Sequence, residues 1–137
     1  MTDYVLDTKV ISPVRRAERA PKIAAWLSRQ CEDALYISVI TLGEIERGIR
    51  WQEGRNPDFA ADLRSWLDRT RMLFSDRIVE FSAEDALIWG RLSADLGHPG
   101  ADLMIAAQAI SREATIVTGN VTDFERTGAR VFDPFGE

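Results

Sequence analysis

Tyr4-Val5-Leu6-Asp7-Thr8-Lys9-Val10-Ile11-Ser12 begins as a short apolar strand, ends it on an acid, and passes into a helical turn that Pro13 tolerates only near its start. Working outward, Leu35-Tyr36-Ile37-Ser38 repeats the strand. It leads to Glu44, inside a helix expected from Thr41 to about Trp51 and stopped by Gly54-Arg55-Asn56-Pro57. Arg77-Ile78-Val79-Glu80-Phe81 reads as a third strand, Thr115-Ile116-Val117-Thr118 as a fourth and Ala129-Arg130-Val131-Phe132 as a last. Helical spacing fills the gaps. Pro21 opens a helix to about Gln30 that turns Ile23, Trp26 and Leu27 inward, and Phe59, Leu63, Trp66, Leu67 and Thr70 form the stripe of a longer one. Ser82 with Asp85 three residues on predicts a capping box ahead of Ile88, Leu92 and Leu96, and Ala101 to Ile110 reads as a helix buried on most sides. Strands alternating with helices specify a parallel α/β sheet.

The carboxyl ends of neighbouring strands in such a sheet meet along one edge, so Asp7, Glu44 and Asp102, each near a strand-to-helix junction, are expected in one crevice. A fourth junction, Thr118-Gly119-Asn120-Val121-Thr122-Asp123-Phe124, adds Asn120 and Asp123. Gathered carboxylates repel unless a hard divalent cation such as Mg2+ or Mn2+ offsets them, which points to metal-dependent phosphate chemistry. Each acid also has a purely structural reading. Glu44 could complete a capping box with Thr41, Asp102 could complement a helix dipole, and Asp7 could be an N-cap. Asn120 and Asp123 could simply suit a polar turn.

The chain has 137 residues, 45% apolar and 28% charged, enough for one core and too few for two. No run reaches the length of a membrane span, and Met1-Thr2-Asp3-Tyr4 does not open a signal peptide, so a cytoplasmic protein is expected. Cys31 is the lone cysteine, and its place after the apolar helical run 23–27 predicts a buried, inert thiol. His98 is the lone histidine and reads as an exposed loop residue. Zinc sites built on several His or Cys, and serine or cysteine triads, are thereby set aside. A net charge of −5 argues against a general nucleic-acid coat. Arg15, Arg16, Arg19 and Lys22 cluster near the first junction, and Arg47, Arg50 and Arg55 follow Glu44. Solvated helix faces explain both clusters as well as nucleic-acid contact does.

Four stretches in order carry a family resemblance: Val5-Leu6-Asp7-Thr8 with Val10-Ile11-Ser12, Ser38 to Glu44-Ile45 with Gly48-Ile49, Gly100-Ala101-Asp102-Leu103 with Ile105-Ala106-Ala107, and Thr118 with Asn120, Asp123-Phe124 and Asp133-Pro134-Phe135. Together they cover almost the whole chain. The sequence resembles the PIN-domain nucleases, and within them the VapC and FitB-like toxins of type II toxin–antitoxin modules. That resemblance implies a three-layer α/β/α sandwich with a central, mostly parallel sheet, as a single domain over residues 1–137. It implies a Mg2+- or Mn2+-dependent endoribonuclease, dimeric, held inactive by a small antitoxin lying over the catalytic groove and contacting DNA only through that antitoxin. Asp7, Glu44 and Asp102 would be the metal-binding acids, with Asn120 and Asp123 at a more variable fourth corner of the catalytic site. Metal-activated water would attack the RNA phosphodiester and leave a 5′-phosphate and a 3′-hydroxyl.

The chain departs from the family pattern at Lys9, where Asn is usual, and at Gly119, where Arg is common. An ammonium beside Asp7 would compete with a cation or contact an RNA phosphate. Other classes fit less well. A haloacid-dehalogenase-like phosphatase wants a second Asp where Lys9 stands, and a receiver domain wants adjacent acids after its first strand. A non-enzymatic reading makes the chain a catalytically weakened PIN protein, acting mainly as the antitoxin-bound part of a DNA-binding autorepressor.

Overall fold

The computed structural model describes residues 2–14, 18 and 20–136; Arg15, Arg16 and Arg19 of the first basic cluster lie outside them. Among the described residues, five strands form one wholly parallel sheet: β1 Tyr4–Leu6, β2 Leu35–Ser38, β3 Ile78–Val79, β4 Thr115–Val117 and β5 Arg130–Phe132, in the order β3-β2-β1-β4-β5. The connecting helices are α1 Thr8–Val14, α2 Pro21–Ser28, α3 Val39–Glu53, α4 Pro57–Leu73, α5 Ala83–Leu96, α6 Ala101–Arg112 and α7 Val121–Glu125. Side chains of successive strand residues point to opposite faces. Leu6, Ile37 and Val117 therefore pack on one side with Ile23 of α2, Ile45 and Ile49 of α3 and Trp66 of α4. Val5 and Ile116 pack on the other with Ile105, Ala106 and Ala109 of α6 and Phe124 of α7. The result is a three-layer α/β/α sandwich, with α3 against α4 and α5 against α6.

Local chemistry sets the helix ends. Asn56 caps α4 by accepting the Phe59 N–H at 3.2 Å, with Pro57 in the first turn. Ser82 and Asp85 form the reciprocal capping box of α5, at 3.1 and 2.9 Å, and Gly97 ends that helix in the left-handed region at φ 82°. Helix α3 starts earlier than its sequence suggests. Ser38 is its cap, accepting the Ile40 N–H at 2.9 Å, so Thr41 lies inside the helix and forms no capping box with Glu44.

Strand β3 is limited to Ile78–Val79, shorter than the expected 77–81. The carbonyls of Val79 and Glu80 accept instead from the side-chain amide of Gln108, at 3.1 and 3.2 Å, which takes them out of the ladder. Arg77 is buried below the strand, where its guanidinium donates to the carbonyls of Glu32, Leu35 and Leu73. Cys31 is exposed, against expectation. It lies past the end of α2, at the cap of a 3₁₀ turn over Glu32–Ala34, where the inward helical spacing no longer applies. His98 is an exposed loop residue, and its ring accepts the Gly100 N–H at 3.2 Å. Among the described residues no helix is long and apolar enough to cross a membrane.

Candidate active site

The chain builds outward from β1 in one direction to β2 and β3, then returns to add β4 and β5 on its other side. The crevice between the carboxyl ends of β1 and β4 is therefore the topological switch point, where parallel sheets of this kind bind ligands. Leu6 lies level with both Ile37 and Val117, so the next residues, Asp7, Ser38 and Thr118, stand side by side along that edge.

Asp7 is held on all sides. Its N–H donates to Val117 at 3.0 Å, continuing the sheet, and its carbonyl accepts from Val10 and Ile11 at 2.9 and 3.1 Å, starting α1. Its side chain is buried at 3% exposure. The Thr118 hydroxyl, itself fully buried, donates to Asp7 Oδ2 at 2.9 Å and accepts the Asn120 N–H at 2.9 Å. Burial pushes the Asp7 carboxyl above the usual carboxylate range, and the nearby charges of Asp102 and Glu44 push it the same way. The hydrogen bonds from Thr118 and the Thr8 backbone oppose that rise in part.

Glu44 is exposed on α3, one turn past Thr41. The Thr8 hydroxyl donates to its Oε1 at 2.7 Å and lies 3.0 Å from Thr41 Oγ1, which ties α3 to the start of α1. Asp102 is half-buried in the first turn of α6. Asn120 precedes α7, half-buried, and donates its amide to Asp123 Oδ2 at 3.1 Å; Asp123 is exposed. Asp7, Glu44 and Asp102 are thus electrostatic neighbours, while Asn120 and Asp123 form a pair joined to Asp7 through Thr118. Among the described residues, no three acidic, histidine or cysteine side chains stand close enough to enclose one ion.

The donor chemistry nonetheless suits a hard cation, since the side chains that act on Asp7, Thr118, Asp102 and Glu44, all offer oxygen, and the two acids raise the cost of charge on Asp7. Among the described residues the ion pairs are Arg50–Glu53, Arg64–Glu46 and Arg77–Asp76, and the exposed Lys9 forms none with Asp7. At Gly119 a Cβ would lie 2.9 Å from the ring of the half-exposed Phe135, so a side chain there would displace that ring. The Asp133 carboxylate orders this turn by accepting the Phe135 N–H at 2.8 Å.

Three positioning residues carried no functional weight in the sequence reading. Thr118 fixes Asp7, and its signal was its place at the end of a central strand. Ser38 both caps α3 and donates to Gln108 Oε1. Gln108, fully buried in α6, links the end of β2 to the end of β3. Its signal was a lone amide inside an otherwise apolar helix.

The fold and crevice define a parallel α/β protein whose switch point is built from acids, amides and hydroxyls, with no histidine or cysteine. Residues 4–129 match the family model described as PIN domain, and the chain belongs to that family. It is 30% identical over 138 residues to the plasmid stability protein StbB of Pseudomonas syringae pv. tomato, covering 96% of this chain and 97% of that one. The VapC ribonuclease Y4jK of Sinorhizobium fredii is 27% identical over 142 residues, with 96% of each chain covered. A solved structure of FitAB bound to IR36 DNA superposes with a TM-score of 0.83 at 27% identity, over 98% of this chain and 96% of that chain.

Proposed function

We propose that the chain is an endoribonuclease toxin of a toxin–antitoxin pair, a cytoplasmic homodimer that depends on Mg2+ or Mn2+ and is restrained by a cognate antitoxin. The observation that carries this reading is the buried Asp7 at the switch point, its carboxyl raised by burial, Asp102 and Glu44, with no ion pair to it among the described residues. Membership of the PIN family, a VapC ribonuclease similar over nearly its whole length, and the DNA-bound FitAB likeness support it. Through the antitoxin, that last likeness also supports an indirect link to DNA.

Asp7, Glu44 and Asp102 are the side chains that would hold the cation. Bound there, a divalent ion would offset their charge, make water a better nucleophile and polarise the scissile phosphate. Thr118 keeps Asp7 from rotating and favours its ionised form, Thr8 holds Glu44 toward the crevice, and Asn120 with Asp123 lines the rim that RNA would cross. No side chain is required as a covalent nucleophile, which agrees with a crevice lacking Cys and His. The test is incubation of the purified, antitoxin-free chain with total RNA, with and without Mg2+ or Mn2+, followed by mapping of the cleaved ends. Cation-dependent cuts bearing 5′-phosphates, lost in Asp7→Asn and Asp102→Asn, are expected. Cleavage that survives both substitutions, or no cleavage with either cation, would overturn the reading.

A further inference from the structure

Helix α3 carries more than Glu44 on its exposed face. Glu44, Arg47, Gly48 and Trp51 recur at i, i+3, i+4 and i+7, so they share one side of the helix. With Gln52, and Leu63 from α4, they line a groove of about 340 Å³ that begins at the acid. Trp51 is 55% exposed, an unusual state for so large an apolar ring. The Arg55 guanidinium lies 3.7 Å from the centre of its indole and donates to the Trp51 carbonyl at 3.0 Å, so one face of the ring carries the guanidinium. Gly48 is a second feature of the groove it lines, although a Cβ at Gly43 of the same helix would be equally free of contacts. A glycine in mid-helix costs about 1 kcal/mol relative to alanine, yet a Cβ at Gly48 would meet nothing within 4 Å. Packing does not require this glycine; it leaves the groove open beside the indole.

We propose that this groove is a nucleobase subsite, in which an unpaired base of single-stranded RNA stacks on Trp51 while Arg47 and Arg55 face the adjoining backbone. It deepens the nuclease reading and rests on it for the link to Glu44. Bases offer flat π-faces to an aromatic ring whatever their identity, and a guanidinium both stacks and pairs with phosphate. An arginine-flanked, half-exposed indole opening directly onto a catalytic carboxylate fits that ligand chemistry.

The test uses the full-length chain in an Asp7→Asn background, so that RNA binds without being cut, with a fluorescently labelled single-stranded oligoribonucleotide read by anisotropy. Trp51→Ala and Gly48→Leu should each weaken binding between about fivefold and a hundredfold, the range for loss of one stacked base. Trp51→Phe should restore most of the affinity. An oligonucleotide with abasic positions should bind the parent as weakly as intact RNA binds Trp51→Ala, and should be insensitive to that substitution. With Asp7 restored, Trp51→Ala should raise KM for cleavage far more than it lowers kcat. The subsite is overturned if the parent binds no RNA, if the variants bind as the parent does, or if abasic RNA shows the same Trp51 dependence. It is also overturned if they loosen only a co-expressed antitoxin. Trp51-dependent binding without cation-dependent cleavage by the native chain would overturn the nuclease reading and leave the base site standing; cleavage with Trp51-independent binding would do the reverse.

Discussion

Replacing Gln108 by leucine should cost the fold far more than one side chain's packing. The amide makes three interactions: its oxygen accepts from the buried Ser38, and its nitrogen donates to the carbonyls of the buried Val79 and the exposed Glu80, at 3.1 and 3.2 Å. Leucine matches the volume roughly and removes all three, leaving the buried Ser38 hydroxyl and Val79 carbonyl without these partners at about 1–3 kcal/mol each, while the carbonyl of the exposed Glu80 can turn to water. Some of that is recovered, because Ser38 still accepts the Ile40 N–H and leucine itself suits an apolar helix. A net loss of roughly 3 kcal/mol is expected, equivalent to a fall in melting temperature of about 12 °C for a domain of this size. Urea unfolding followed by circular dichroism measures the loss, and an unchanged m-value would locate it in the native state. Gln108→Glu should be worse, since it buries a charge and sets an acceptor against two carbonyls. A leucine variant within about 1 kcal/mol of the parent would refute the claim that this amide joins the β2 and β3 ends.

Two further perturbations act at Asp7. Thr118→Val removes a hydrogen bond to a carboxylate, worth about 1.5–3 kcal/mol to the charged form, so the acid limb of the cleavage pH–rate profile should move to higher pH while the plateau is less affected; an unmoved limb would show that Asp7 ionisation does not govern the rate. Asp7→Asn should stabilise the cation-free chain at pH 7 by about 0.5–2 kcal/mol. The sign follows from the raised carboxyl: the fold prefers the protonated acid, a preference fully present below the unfolded value of 3.8 and lost as pH rises through the higher folded value. The melting temperature of the parent, relative to Asp7→Asn, should therefore fall across that window; parallel curves would contradict it.

Where partners lie close in sequence, the sequence exposed them. The Ser82–Asp85 box depends on residues three apart, and the order of strands and helices follows from apolar spacing alone; Pro57 is legible as the stop of the preceding helix, while its place in the first turn of α4 is shown by the structure. Of the three acids, only Asp7 stands at a strand end as expected: Asp102 follows α5 across residues 97–100, a helix-to-helix connection and not a strand-to-helix junction, and Glu44 lies inside α3, so their approach to Asp7 comes from the packing of α6 and α3 and not from strand ends alone. What escaped depended on distant or competing contacts. Gln108 finds its partners 28 to 70 residues away. Phe135 covers Gly119 only because β5 returns the chain beside β4. The start of α3 was misplaced because Ser38 and Thr41 both have cap chemistry, and the hydroxyl at the strand end wins it. Cys31 was misread by extending the spacing of α2 past its last residue.

The crevice combines a rigid half and an adjustable half. Asp7 is fixed by backbone bonds on two sides and by a buried threonine that is itself tied to Asn120, so moving it would disturb β1, β4 and the start of α1 together. Glu44 is exposed on a longer side chain held by one hydroxyl, and Asp102 sits half-buried at a helix start. Closing the acids around a ligand thus falls to Glu44 and Asp102, whose rearrangement costs rotamers and not packed backbone. Like charges favour keeping them apart until a cation arrives, and burial at Asp7 amplifies the penalty for bringing them in. If the proposed cation binds there, the same arrangement that makes Asp7 a poor stabiliser of the empty fold would let the ion relieve it, and would link occupancy of the crevice to the stability of its central strands.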